Sequence, residues 1–140
     1  MVCVSHVAIF VNNLDLMERF YQAVFGMWTV WKAPNEKAYL TTGNRDIFAL
    51  LHKPGYRPRR YDLAGILQDP RVTPNFPHFG AVVETLDHFT ELMERLEATG
   101  ITIYGPKVSR DTTRSFYFHD PEGNAVQVVC PTHEYFQRSR

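Results

Sequence analysis

The chain contains two copies of one pattern, and that duplication constrains its fold more than any other feature. Ser5-His6-Val7-Ala8-Ile9-Phe10-Val11-Asn12-Asn13-Leu14-Asp15 returns as Pro77-His78-Phe79-Gly80-Ala81-Val82-Val83-Glu84-Thr85-Leu86-Asp87. His6 and His78 lie 72 positions apart, and His, Val, Leu and Asp recur at matched places. A period of this size marks a supersecondary unit used twice. The residues after each copy match as well. Leu14, Met17, Phe20, Tyr21 and Val24 recur at helical spacing and Gly26 closes the run; Leu86, Phe89, Leu92, Met93 and Leu96 do the same before Gly100. Asp15 and Asp87 are the predicted N-caps, because a short side-chain oxygen accepts an orphan backbone N–H there. Glu18 would add a carboxylate to the positive first turn, and the glycines suit the left-handed position past a helix end.

Strand-like stretches come next: Trp28 to Trp31, Ala38 to Thr42 and Ile47 to His52 in the first half, then Ile101 to Tyr104, Ser115 to His119 and Ala125 to Cys130 in the second. Each half therefore reads β-α-β-β-β. The expected fold is α+β, with two tandem βαβββ modules over residues 1–53 and 77–130, a Pro-rich linker over 54–76 and a tail over 131–140. The linker carries Pro54, Pro58, Pro70 and Pro74, with one helical turn expected near Tyr61 to Leu67. One module cannot close its sheet alone. Two side by side would form a curved mixed sheet with helices outside and a concave cup inside.

Strand alternation decides what faces that cup. His6 and His78 occupy equivalent slots, and two imidazoles aimed at one point begin a metal site. Aligning the last strands pairs Ala49 with Gln127. Gln127, between Val126 and Val128, needs a polar partner or a polar cavity, and its carbonyl could join the two histidines. Ser115, Tyr117 and His119 share one face of their strand. Tyr117 could donate to an oxyanion, and His119 could act as a general base or cap the turn at Asp120-Pro121.

These segments resemble the vicinal oxygen chelate superfamily, which includes glyoxalase I, extradiol dioxygenases, fosfomycin-resistance enzymes and metal-free bleomycin-resistance proteins. The openings at Ser5 and His78 and the terminal run from Ser115 to Gln127 carry the likeness. The resemblance implies a homodimer with a divalent metal (Fe, Mn, Ni or Zn) held at the slots of His6, His78 and Gln127. The fourth slot, Ala49, offers no ligand, and Gln127 stands where most metal-binding members have Glu. It further implies substrate contacts from Lys107 and Ser115. The phosphonate-gripping arginine of the fosfomycin enzymes has no counterpart around Tyr135, Phe136 and Gln137. Two activities stand as expectations. One is a metal-dependent lyase or ring-cleaving oxygenase acting on a small molecule through its oxygens, and the other is a metal-free binding or resistance protein for an aromatic or antibiotic-like molecule.

Charge narrows the partners. Fifteen Lys and Arg balance fifteen Asp and Glu, so neither nucleic acid nor an anionic membrane is an expected partner. Tyr56-Arg57-Pro58-Arg59-Arg60 is the one basic run, read as a solvated loop. Cys3 and Cys130, each beside valines, read as small buried hydrophobes rather than a CxxC motif, which leaves a disulfide between them open. Without an apolar run of membrane-spanning length or a signal-like opening, a soluble cytoplasmic protein is expected.

Overall fold

The computed structural model describes residues 2, 4–73 and 75–131. The chain divides into two compact units, one ending at Pro58 and the other beginning at Arg59. In the first unit, β1 (His6–Val11) leads into α1 (Leu14–Phe25), succeeded by β2 (Trp28–Ala33), β3 (Lys37–Thr41) and β4 (Ile47–His52). The sheet order is β1-β4-β3-β2. The helix carries the chain from β1 to the far edge, and a meander returns it until β4 pairs parallel to β1. Leu14, Met17, Tyr21 and Val24 make the buried stripe of α1. Tyr21 meets Phe48 edge-on at 4.6 Å between centroids, and Val11, Ala38, Leu40 and Leu50 complete this core.

The second unit repeats the plan. After α2 (Leu63–Gln68) and a 3₁₀ turn at Pro70–Val72 come β5 (Phe79–Val82), α3 (Leu86–Ala98), β6 (Tyr104–Val108), β7 (Arg114–His119) and β8 (Ala125–Cys130). The order β5-β8-β7-β6 copies the first sheet, with β5 and β8 parallel. Phe89, Leu92 and Leu96 of α3 are buried with Phe116, Phe118, Val126 and Val128, and Phe89 meets Phe116 at 5.0 Å. The fold is thus α+β, built of two βαβββ modules with a helix against one face of each sheet.

Three local expectations are corrected. The N-caps are Asn13 and Thr85, whose side chains accept from Leu16 N and His88 N. Asp15 and Asp87 fall in the first turn instead, where a carboxylate meets the positive end of the helix. The strand expected over Ile101 to Tyr104 lies at Tyr104–Val108. The strand runs on through Gly105 and Pro106 because β6 is an edge strand, where a missing N–H is tolerated, and its register shifts between Tyr104 and Lys107. The turn after β7 is held by Asp120 rather than capped by His119. One Asp120 carboxylate oxygen accepts from the backbone N–H groups of Glu122, Gly123 and Asn124. Gly26 does take the left-handed conformation, φ 66°, at the end of α1. Cys130 is a free, buried thiol, and Cys3 lies outside the described residues.

Candidate functional site

In each unit the face of the sheet opposite its long helix presents the residues singled out above. In the second unit, register decides the arrangement. Gln127 pairs with Gly80 on one side and Tyr117 on the other. Val129 pairs with Ser115, which pairs with Lys107, and Ala125 pairs with His119. Ser115, Tyr117, His119, Gln127 and Lys107 therefore share one face, and His78, two residues before Gly80, continues it. Gly80 keeps the backbones close here: a Cβ would sit 3.0 Å from the backbone carbonyl oxygen of Gln127.

The His78 ring is exposed and anchored. Its Nδ1 donates to the Phe76 carbonyl at 3.1 Å, the ring stacks on Phe76 at 4.4 Å, and Tyr117 lies edge-on at 5.6 Å. That bond fixes the tautomer and leaves the lone pair on Nε2, the form a metal-binding imidazole takes. Gln127 is half-buried.

The linker contributes what sequence reasoning missed: it covers part of this face. Leu63 and Ile66 of α2 are buried in one cluster with Tyr117 and Ala125, and Tyr61, Leu67, Phe76 and Tyr104 pack around it. Asp62 caps the helix. His119 donates from Nε2 to the Tyr61 carbonyl at 3.1 Å, and the Lys107 ammonium donates to the Leu67 carbonyl at 2.7 Å. Burial lowers the His119 pKa, nearby Arg60 lowers it further, and the bond to Tyr61 only partly opposes them. Burial raises the Tyr117 phenol, so it stays protonated as a donor. The signal for this strap was legible in part, since Leu63, Ile66 and Leu67 come after Asp62 at helical spacing. Its docking face was not.

His6 stands in the first unit, exposed at the start of β1. It shares its sheet face with Ala8 and Phe10, and with Ile47, Ala49 and Leu51 across the parallel register. The same pairing sets Ala8 opposite Ala49, matching Gly80 opposite Gln127, so the alignment of these two slots agrees with the register of both sheets.

Imidazole nitrogen is a borderline donor and amide carbonyl oxygen a hard one, both neutral and both within the range that first-row divalent metals accept. No strand of either sheet carries an Asp or Glu, so the sheets bring no negative charge to a dication. Among the described residues no group of three or more His, Cys, Asp and Glu gathers. The donor types fit, and the charge leaves room for an anionic substrate to complete the neutralisation.

Comparison with known proteins decides the family. Residues 4–128 match the Glyoxalase/Bleomycin resistance protein/Dioxygenase superfamily. The chain belongs to that superfamily. Its members typically use divalent metals. An uncharacterized protein of Pseudomonas aeruginosa is 24% identical over 129 residues, covering 88% of this chain and 84% of its own. Among solved structures, a lactoylglutathione lyase from Agrobacterium tumefaciens aligns with TM-score 0.68 at 24% identity, over 91% of this chain and 92% of that one. A fosfomycin resistance protein from Listeria monocytogenes aligns with TM-score 0.70 at 16% identity, over 96% and 97%. At these identities the structures share the superfamily's fold with this chain. Tyr135, Phe136 and Gln137, the positions around the fosfomycin enzymes' arginine, lie outside the described residues. Among the described residues no helix is long and apolar enough to cross a membrane.

Proposed function

We propose that this superfamily member is a divalent-metal-dependent enzyme, of lyase or ring-cleaving type, acting as a cytoplasmic homodimer on a small molecule bound through its oxygen atoms. His6, His78 and Gln127 would hold the metal, which when bound supplies Lewis-acid polarisation of those oxygens. The observation that supports the reading is the anchored His78 ring, exposed at the surface, stacked on Phe76 and with Nδ1 committed to the Phe76 carbonyl. Tyr117 keeps its proton and donates a hydrogen bond through its hydroxyl to a substrate oxyanion. His119, with Nε2 committed to Tyr61, receives a proton at Nδ1. Lys107 keeps two N–H bonds beyond the one given to Leu67, and with the Ser115 hydroxyl it orients the substrate.

A second reading, a metal-free protein that sequesters an aromatic or antibiotic-like molecule, is favoured by Gln127 in a slot where a carboxylate would balance a dication. Metal titration of the apoprotein separates the two. The enzyme reading expects one divalent ion per chain. It also expects tighter binding, on the order of tenfold, in Gln127→Glu, and loss of binding in His78→Ala. Saturation with Fe, Mn, Ni and Zn that leaves no bound ion supports the metal-free reading, and unchanged affinity in Gln127→Glu removes Gln127 from the ligand set.

A further inference from the structure

The open face of the first sheet carries chemistry that the metal site does not use. Across it, Phe10, Leu51 and Lys37 form one row through the β1–β4–β3 register, and Ala8, Ala49, Tyr39 and Trp31 form the next. The second row is low at one end, where two methyl side chains stand, and Ala8 is exposed. At its other end the Trp31 and Tyr39 rings lie 5.2 Å apart, and Trp31 stays 49% exposed, a large apolar area for a sheet surface. The Lys37 ammonium hangs over both rings, 5.7 Å from Trp31 and 5.9 Å from Tyr39. Beyond Phe10, Lys53 sits over the Phe10 ring at 4.9 Å.

Charge on this face runs one way. The chain has equal numbers of acids and bases, yet the strands of this sheet hold Lys32 and Lys37 and no carboxylate. Lys32 turns to the helix side, where Asp15 and Glu18 take its charge. Lys37 has no such partner among the described residues, where its ammonium meets the Trp31 and Tyr39 rings, and Glu36, the nearest acid in sequence, belongs to the β2–β3 turn. A half-exposed aromatic pair, its rings tilted 36° to one another, with a cation beside it that no acid among the described residues neutralises, selects a planar ring by aromatic contact and an anion by charge.

We propose that the substrate of this site is an aromatic anion, its ring on Trp31 and Tyr39 and its acidic group on Lys37. The inference rests on the small-molecule reading above and narrows it to a chemical class; it does not depend on the metal. The test is calorimetric titration with 1-naphthoate, with 1-naphthalenemethanol as the neutral analogue, in metal-stripped protein. Naphthoate should bind about tenfold more tightly than the alcohol, the size of one hydrogen bond to a charged group. Lys37→Gln should bring the two ligands together. Trp31→Leu should weaken both alike, and both substitutions are at half-buried or exposed positions that the fold tolerates. Equal binding of acid and alcohol to the native protein overturns the proposal. So does naphthoate affinity that survives both substitutions, or no naphthoate binding at all. Metal titration of the same preparation stands apart: an ion bound through His78 with no preference for the acid sinks this inference alone, and acid preference without any ion sinks the metalloenzyme alone.

Discussion

Replacing Leu63 with alanine should loosen the linker strap from the second sheet. Leu63 is 1% exposed and fills a cluster with Ile66, Tyr117 and Ala125. Truncating a buried leucine costs about 2–5 kcal/mol, more where the surroundings cannot collapse into the gap. Here Tyr61, Leu67, Phe76 and Tyr104 are only partly buried around the cluster and can move inward, so the lower half of that range, about 2–3 kcal/mol, is expected. The six-residue helix α2 is far too short to persist alone, so the loss should appear locally as well as globally. Urea unfolding monitored by circular dichroism gives the global figure. Hydrogen exchange gives the local one: the Ile66 and Asp69 amides, bonded to Asp62 and Gly65 carbonyls, should lose protection while the β7–β8 ladder keeps it. A change below about 0.5 kcal/mol, the range of ordinary surface substitutions, with α2 protection intact, would refute the packing argument.

Two further outcomes concern the second unit. Asp120→Ala removes the acceptor of three backbone N–H bonds and of the Asn124 side chain at a residue 3% exposed. It should cost about 2–4 kcal/mol in urea melts, and a neutral result would mean that the turn holds itself. His119 has a folded-state pKa below its ordinary value, mainly through burial. The unfolded chain therefore binds the extra proton first. The stability His119 contributes is complete above pH ~6.5 and is lost as pH falls through the lower folded value. Melts between pH 7.5 and 5 should show that decline, and His119→Gln, which keeps a donor for Tyr61, should flatten it; identical slopes would exclude His119 as the titrating group.

Much of this architecture was legible in the residues because a period of 72 aligns whole elements. The spacings after His6 and His78 fixed both long helices and the β8 strand, and alternation over Ser115, Tyr117 and His119 gave the face they share. What stayed hidden was decided by tertiary contact. Gly105-Pro106 resembles a turn and lies in an edge strand. His119 resembles a turn cap and reaches a carbonyl 58 residues earlier in the chain. The linker helix announced its own start at Asp62, but local sequence cannot say which surface Leu63 and Ile66 will cover. Equally, no periodicity shows that every strand avoids carboxylates until the strands are known.

The coordination shell of a bound ion tests the central claim most directly. X-ray absorption on zinc-loaded protein should show two imidazole nitrogens at about 2.0–2.1 Å, with oxygen completing the shell, and His6→Ala and His78→Ala should each leave the protein without bound zinc. A shell with one imidazole or none, or one containing sulfur, would contradict the convergence of the two repeated histidines on a single ion.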